Sequence, residues 1–441
     1  MRNLKNRNYT LISYCLIAII LIWVSANRNW GDGRWNNIVS SDGNGYYAYL
    51  PAIFIYHDLK FDFIDDISND SLNSNIKKDF ILKLNGNVVN KYYIGTSLTL
   101  IPFFASGHLS NIIYGYPLDG YSVYYRIFVQ IGTIFYALMG LFLLIKIFRF
   151  YNISDKIIAI SLLAIVFGTN MFHYIVSEPS MSHIYSFAFV NLFVYSFLKF
   201  FSKNETKYFL LGTFALAIIT LIRPVNILVV LSLPFLAQNP ENISKGMKYL
   251  IQNWKVLIIG VVLFTSLVMI QLIVYKIQTG KFIIYSYYNE GFSFLDPHLI
   301  DFMFSYKKGF FIYTPILFLS IFGLIYLYKD KFRFYALLFF LSIVVYVLSS
   351  WWQWYYGGSF SQRVMIEYYV YFFILFSFLL QKSKIIKLLT TVTILLIIVC
   401  QIQTYQYKNG YIHWSEMNKQ RYWDNFLRID KVINKAEKEW E

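Results

Sequence analysis

The sequence predicts an all-α protein that crosses a membrane many times. Long apolar runs recur throughout its 441 residues, most of them long enough to cross a ~30 Å hydrocarbon core as a helix. Only 14% of the residues are charged, whereas soluble domains carry about 25%. Short loops rich in Lys and Arg separate many of the runs, as is typical of the cytoplasmic side of membrane proteins.

Eleven apolar runs are predicted to be spans, which gives a bundle of about 11 transmembrane helices. The first, at 9–26, is too long for the core of a cleaved signal peptide and lacks a clear small-residue cleavage site, so we expect a retained span. The others are 127–145, 157–175, 183–198, 208–222, 225–237, 256–275, 310–328, 334–352, 368–381 and 388–406.

The distribution of charge predicts the orientation of these spans. With the N-terminus inside, six short inward segments carry three basic residues each against only four acids, and the outward segments are nearly neutral. The net charge of +15 is therefore explained by topology, and a nucleic-acid partner is not needed. We expect an integral protein of the bacterial plasma (inner) membrane, with its N-terminus in the cytoplasm and its C-terminus outside.

Two segments are too short or too ambiguous for ordinary spans. Residues 208–237 make roughly 45 Å of helix, less than two full crossings need. We expect a short re-entrant hairpin broken at Arg223-Pro224, because proline removes a backbone donor and disfavours helix before it. Residues 94–113 are predicted to lie on the membrane or to enter it partly, as a second membrane-lying helix after 46–57.

The chain is therefore predicted to form one transmembrane domain, 1–406, followed by an outer C-terminal segment, 407–441. Residues 27–126 form the first outer loop, which carries both membrane-lying helices and Asp42. Between these helices, 64–86 is rich in Asp, Asn, Ser and Lys, and we expect a mobile surface excursion.

The sequence argues against several classes of protein. The inward loops are short and basic and contain no Gly-rich phosphate loop and no Rossmann fingerprint, so a nucleotide-driven pump or a nucleotide-sugar enzyme is not expected. Cys15 and Cys400 lie inside apolar runs and predict neither a disulfide framework nor a metal site.

Most of the unusual polar clusters fall on the predicted outer face. Charged groups near the membrane usually face a polar cavity rather than lipid, so several clusters on one side predict one shared site. They are Asp42; Lys91–Thr96; Ser177–His183; Arg223-Pro224; Tyr285–Phe292; Ser305–Gly309; and Trp354–Arg363.

This pattern resembles the GT-C superfamily of membrane glycosyltransferases, which includes the protein O-mannosyltransferases and the lipid A aminoarabinose transferases. The matching features are Asp42 in the first outer loop, the two membrane-lying segments, Lys91, and Leu221-Ile222-Arg223-Pro224 at the end of a middle helix. The sequence departs from that pattern at Lys91-Tyr92-Tyr93, where the prolines of the family's turn are missing, and no second acid directly follows Asp42.

The resemblance implies a polyprenyl-phosphate sugar donor, whose sugar moves to an acceptor hydroxyl outside the membrane. A carboxylate must then take the acceptor's proton, fixed cations must hold the departing phosphate, and an apolar groove must hold the isoprenoid tail. Asp42 is the candidate base; the alternative is an ordinary Asp-Gly turn. Glu178 and His183 are further candidates that could tune Asp42, bind sugar or join a metal site; a structural role is the alternative for both.

Five cations are candidates for binding the donor phosphate, and each has a simpler interpretation. Lys91 could instead extend to the interface, Arg223 could cap carbonyls or form an internal ion pair, and Arg363 could anchor the interface. Lys307 and Lys308 could instead be ordinary solvated lysines at a span edge.

Candidates for sugar or acceptor binding are Tyr46, Tyr285, Asn289, Glu290 and Trp354. Trp354 belongs to an aromatic run that is more typical of an interface belt. No cofactor is predicted with certainty, a divalent cation is left open, and the metal ligands are unknown. The expected partners are the lipid-linked donor, a lipid, glycan or protein acceptor, and membrane lipids, with no nucleic acid.

Two other functions stay open. An O-antigen polymerase or ligase also acts outside on lipid-linked sugar. Such proteins usually place key arginines in a large late outer loop, whereas in this sequence the first outer loop carries the main candidate residues and the late outer loops are modest. A lipid-linked glycan transporter or flippase predicts two pseudo-symmetric halves with broken helices at matching positions, and the sequence has one broken hairpin without a partner repeat.

Overall fold

The protein is mainly helical in the part of the chain that the structure, a computed structural model, describes. This part comprises residues 8–68 and 76–430. Its first helices are α1 (Asn8–Asn29), α2 (Asp42–Tyr47), α3 (Tyr49–Phe54) and α4 (Phe63–Ser68). Strands β1 (Ile81–Leu84) and β2 (Asn87–Asn90) then form an antiparallel hairpin, with Ile81 opposite Asn90 and Leu84 opposite Asn87.

The remaining elements are helices. They are α5 (Gly95–Tyr114), α6 (Val123–Phe150), α7 (Asp155–Phe167), α8 (Met171–Val176), α9 (His183–Lys203), α10 (Thr206–Ile222), α11 (Leu233–Ala237), α12 (Pro240–Gln252), α13 (Trp254–Thr279), α14 (Leu299–Phe304), α15 (Phe310–Tyr313), α16 (Pro315–Ile321), α17 (Lys331–Ser349), α18 (Tyr369–Lys382), α19 (Ile386–Lys408) and α20 (Lys419–Asn425). Among the described residues, 3-10 helices occur at Arg34–Asn37, Pro224–Ser232, Phe322–Tyr326 and Arg363–Tyr368.

Seven helices of the described chain are long and apolar enough to cross a membrane: α1, α6, α9, α13, α17, α19 and the continuous helix Arg363–Lys382. Shorter apolar helices occupy Thr206–Ile222, Pro224–Ala237 and Pro315–Tyr326. The protein is thus an all-α membrane protein, as predicted. All eleven predicted spans contain helix, while the number of crossings stays a prediction.

The chain folds into two compact units that alternate along the sequence. The first unit contains the described residues of Met1–Ile17, Phe148–His173 and Phe292–Glu441. The second unit contains the described residues of Ala18–Ile147 and Tyr174–Gly291. The described residues of 27–126, the predicted first outer loop with Asp42, therefore belong to the second unit.

Polar side chains join distant segments of the first unit. Asp155, the first residue of α7, accepts hydrogen bonds from the backbone N–H and hydroxyl of Thr10 (3.1 and 2.6 Å). Gln401 donates to the C=O of Phe167 at the end of α7 (2.6 Å). The described part of the C-terminal segment is also packed, because Ile412, Met417 and Tyr422 share an apolar cluster with Tyr313 and Phe360.

The predicted break at Arg223-Pro224 is confirmed. Helix α10 ends at Ile222, Arg223 is extended (φ −149°, ψ 108°), and Pro224 starts a 3-10 helix that continues to Ser232. This geometry follows from proline, which disfavours helical backbone at the residue before it.

The predicted first outer loop, residues 27–126, is more structured than the sequence predicts. Residues 46–57 do not form a single helix: α2 and α3 are two short helices, and residues 43–52 are all buried. The expected excursion at 64–86 contains the end of α4 and strand β1; its residues 69–75 lie outside the described residues. The helix expected at 94–113 is confirmed as α5, Gly95–Tyr114.

Candidate active site

Asp42 is the first residue of α2, so it does not occupy a simple Asp-Gly turn. Its side chain is half-buried. The preceding Ser41 has a positive φ of 51°, a conformation that L-residues with a side chain rarely adopt and that is found more often at functional sites. The backbone therefore enters α2 through a strained residue directly before the candidate base.

The β-hairpin brings Tyr92 to Asp42. Lys91 N–H donates to the C=O of Phe80 (2.9 Å), which extends the strand pairing by one residue beyond β1 and β2. Asn90 Nδ2 donates to the C=O of Gly45 in α2 (2.8 Å). Two residues after Asn90, the Tyr92 hydroxyl donates a hydrogen bond to the Asp42 carboxylate.

Gly45 allows this close approach of α2 to the hairpin. A Cβ at Gly45 would overlap the Tyr92 ring and lie only 2.6 Å from Phe80 Cβ. The Tyr46 ring packs on the Tyr92 ring, with 4.4 Å between centroids. Tyr46, a candidate for sugar binding, is thus a buried support for Tyr92.

Electrostatic interactions connect further residues to Asp42. Burial raises the pKa of Tyr92 well above its usual value, and the negative charge of Asp42 adds to that rise. The pKa of Tyr287 is likewise raised by burial and by its neighbours Tyr46, Asp42 and Glu290, while Arg223 opposes the shift. Tyr287 therefore lies within electrostatic reach of the candidate base and of one candidate phosphate ligand.

Asp79 adds a second carboxylate to this cluster. Asp79 is exposed, but desolvation by the surrounding groups raises its pKa, and the charge of Asp42 is the next cause, whereas Lys91 opposes the shift. Sequence reasoning missed Asp79, Tyr92 and Tyr287 as individual site residues. Tyr92 and Tyr287 lie in stretches that stand out in the sequence, but Asp79 falls in the segment that was expected to be a mobile excursion.

Lys91 is held on two sides. Its Nζ lies 3.6 Å from Glu290 Oε1, and the side chains are only 18% and 30% exposed. Its C=O accepts a hydrogen bond from Ser286 Oγ (2.9 Å). The loop after α13 is therefore fixed to the hairpin through Lys91, and two predicted site residues, Lys91 and Glu290, meet as an ion pair.

Arg223 reaches the same region because α5 and α10 pack closely. A Cβ at Gly95, the first residue of α5, would overlap the backbone of Leu221 and Ile222. Arg223 therefore follows directly after this contact, and Lys91 lies four residues before Gly95. Arg223 is half-buried and interacts electrostatically with Tyr287.

The segment that carries Glu178 and His183 packs against α2. A Cβ at Gly43, next to Asp42, would overlap Ser180 Oγ. Glu178 lies within electrostatic range of Arg28 at the end of α1. His183 is the first residue of α9 and is buried, with its ring 5.7 Å from that of Tyr174.

The loop residues Tyr285 and Asn289 differ in their contacts. The Tyr285 hydroxyl donates a hydrogen bond to the C=O of Glu290, and more than half of Tyr285 is exposed. Asn289 is exposed. Tyr285 therefore shapes the loop that presents Glu290.

Four predicted site residues belong to the first unit. Arg363 is buried and begins the 3-10 helix before α18. Lys308 is buried rather than solvated: its Nζ donates to the C=O of Ser359 and lies 5.1 Å from the centroid of the Tyr407 ring. Lys307 lies over the Tyr355 ring, and Trp354 stacks on His298 with 5.8 Å between centroids.

An apolar groove of about 390 Å³ lies in the second unit beside the Asp42 cluster. Residues of α3, α5 and α13 form its walls, together with Leu59 and Ile94. Tyr49 connects the two features, because it lines the groove and its hydroxyl donates to the C=O of Tyr92 (2.8 Å). A groove of this volume, lined by apolar side chains, can hold part of a hydrocarbon chain.

Among residues 8–68 and 76–430, no group of three or more His, Cys, Asp and Glu side chains is placed to hold a metal ion. Asp42 and Asp79 are two carboxylates without such a third ligand. The cluster brings together carboxylates, cations and tyrosine hydroxyls.

No model of a known protein family matches the chain, and no curated protein matches it either.

Proposed function

We propose that this chain is a glycosyltransferase of the GT-C fold, with about eleven spans. It moves a sugar from a polyprenyl-phosphate donor to an acceptor hydroxyl on the outer face of a bacterial plasma membrane. The observation that carries the proposal is the position of the Asp42–Lys91–Tyr92–Tyr287 cluster beside an apolar groove in the same unit. A lipid-linked sugar phosphate needs this combination of a carboxylate, cations and an apolar channel.

The proposed reaction is a displacement at the anomeric carbon of the sugar. The acceptor oxygen forms a bond to that carbon while its proton passes to the Asp42 carboxylate. The bond between the anomeric carbon and the phosphate oxygen breaks, and polyprenyl phosphate leaves with the electron pair. Lys91 and Arg223 stabilise the charge that develops on the phosphate.

Tyr92 and Glu290 have supporting roles in this proposal. Tyr92 orients the Asp42 carboxylate through its hydrogen bond. Glu290 forms an ion pair with Lys91 until the donor phosphate takes its place beside the Lys91 ammonium group. The isoprenoid tail lies in the groove between α3, α5 and α13.

The function is tested with the full chain reconstituted in proteoliposomes and supplied with polyprenyl-phosphate carrying a radiolabelled sugar. The proposal predicts covalent transfer of label to an acceptor from a membrane extract, with release of polyprenyl phosphate. Consumption of long lipid-linked glycan instead would indicate a polymerase or ligase. Movement of the labelled lipid across the bilayer without covalent change would indicate a transporter or flippase. Either of these results would overturn the proposal.

A further inference from the structure

Helix α12 differs from the apolar helices around it because it is amphipathic. It spans Pro240–Gln252, and its N-cap Asn239 accepts a hydrogen bond through its side chain from the N–H of Asn242 (2.8 Å). Only Asn253 separates it from α13, a candidate span of 26 residues. Since α13 begins at Trp254, α12 lies at the membrane surface where α13 enters the bilayer.

One face of α12 is fixed to the protein. Gly246 is buried, and a Cβ there would come within 3.2 Å of Phe200 and Phe201 in α9. The Tyr249 hydroxyl is hydrogen-bonded to Thr206 Oγ1 at the start of α10 (2.7 Å). These contacts decide which residues point away from the protein.

The opposite face carries an apolar stripe. Met247, Ile251 and Trp254 are 58%, 70% and 57% exposed. Met247 and Ile251 lie one turn apart on α12, and Trp254 follows Asn253 as the first residue of α13. Three large apolar side chains exposed in a row are costly in water and are typical of a helix that rests in the membrane–water boundary.

Exposed lysines lie on α12 and at the start of α13. Lys248 is next to Met247, Lys255 is next to Trp254, and Lys245 is exposed one turn before Tyr249. Glu241 is the one acid within Pro240–Gln252. Lys203 and Lys207, at the adjacent ends of α9 and α10, both pair with Glu205 (3.7 and 2.7 Å), which leaves one positive charge there. Lys245, Lys248 and Lys255 against Glu241 leave two.

We infer that α12, together with the first residues of α13, is a docking surface for anionic phospholipids. Met247, Ile251 and Trp254 insert among the acyl chains, and Lys245, Lys248 and Lys255 bind the negatively charged headgroups. Lysine suits this position because its apolar stem can lie along the lipid while its ammonium group reaches the headgroup. The occupant is lipid rather than a soluble anion, because the basic side chains border an apolar face that only a membrane would cover.

The experiment compares lipid binding by the full chain in a neutral detergent, measured by native mass spectrometry with added phosphatidylglycerol or phosphatidylcholine. The wild type should bind phosphatidylglycerol in preference. The triple variant Lys245→Gln/Lys248→Gln/Lys255→Gln should bind phosphatidylglycerol at least about tenfold more weakly. Each lysine near an anionic surface contributes about fivefold to the affinity. Phosphatidylcholine binding should not change.

A matched control replaces three exposed lysines of the first outer loop, Lys60→Gln/Lys77→Gln/Lys83→Gln, and should bind phosphatidylglycerol as the wild type does. All six lysines are exposed, so both variants should elute from gel filtration like the wild type. The inference is overturned if the α12 variant keeps wild-type affinity, or if both triple variants lose it equally. It is also overturned if inorganic phosphate competes as well as phosphatidylglycerol.

Discussion

The ion pair between Lys91 and Glu290 leads to two opposite expectations for Glu290. If Glu290 binds sugar hydroxyls, its removal weakens donor binding. The 3.6 Å contact favours the alternative, in which Glu290 is paired with Lys91 until the phosphate arrives. Glu290→Gln should then lower the KM for the donor by up to about fivefold, because a partly exposed ion pair contributes at most about 1 kcal/mol.

Steady-state transfer kinetics measure this effect. Glu416→Gln is the matched control, since Glu416 also pairs with a cation, Arg421 (3.1 Å), but belongs to the first unit and is exposed. A donor KM that rises in Glu290→Gln would assign Glu290 to the sugar instead.

Asp79 predicts a pH dependence of stability. Desolvation and the charge of Asp42 raise its folded-state pKa above the ordinary 3.8, so the folded state binds the proton more tightly than the unfolded state does. The resulting stabilisation is fully present below about pH 3.8 and is lost as pH rises through the raised pKa. Asp79→Asn should therefore raise the Tm at pH 7, and this gain should shrink as pH falls toward 4.

Thermal unfolding between pH 4 and pH 7 tests the prediction. Asp66→Asn, which removes an exposed acid of the same loop, should show no such trend in its difference from the wild type. A Tm difference for Asp79→Asn that is the same at every pH would contradict the raised pKa of Asp79.

At the scale of elements, the contact between α2 and the β-hairpin decides whether Tyr92 reaches Asp42. Gly45→Ala should disrupt it, because the added Cβ overlaps Tyr92 and Phe80. The overlap should cost about 1–3 kcal/mol, more than the ~1 kcal/mol that alanine gains over glycine within a helix. We expect a lower Tm and a lower rate of transfer.

The control is Gly291→Ala. The nearest atom to a Cβ at Gly291 is the Tyr285 hydroxyl oxygen, 4.0 Å away, and the backbone there has no positive φ. This variant should keep the wild-type Tm. Equal losses in both variants would mean that the α2–hairpin contact has no special role.

The sequence predicts some elements well and others poorly, for physical reasons. The apolar helices and the break at Arg223-Pro224 follow from local properties, namely hydrophobic length and the geometry of proline. The hairpin also had a local signal: Asn85-Gly86 joins two apolar stretches, and both residues have positive φ (51° and 81°) as a tight two-residue turn requires. The polar composition around it led instead to the expectation of a mobile loop.

At the scale of the whole molecule, contacts between distant segments limit what the sequence can predict. Asp42, Tyr92, Arg223 and Tyr287 are far apart in the chain, and the second unit brings them within electrostatic or hydrogen-bonding range. The outer-face pattern predicted that Asp42, Lys91 and Arg223 share a site. It could not predict that Lys91 pairs with Glu290 or that Asp79 joins them, because these contacts depend on how the hairpin packs.

The groove of the second unit gives a prediction about the lipid. Ile273→Trp should fill part of the groove and raise the KM for a long-chain donor about tenfold, the effect of losing roughly two buried CH₂ groups. A donor with a short chain should be affected less. Ile259→Trp is the control, since Ile259 is exposed on the same helix but does not line the groove. If Ile273→Trp changes the KM of the long-chain and the short-chain donor by the same factor, the tail does not lie in this groove.

The role of Asp42 as the base is the central claim, and the transfer rate of Asp42→Asn tests it most directly. With reconstituted full-length protein and saturating labelled donor, the rate should fall by about 10²–10⁴-fold, while Asp66→Asn keeps the wild-type rate and both variants keep the wild-type elution in gel filtration. A folded Asp42→Asn protein that transfers sugar at the wild-type rate would contradict the claim.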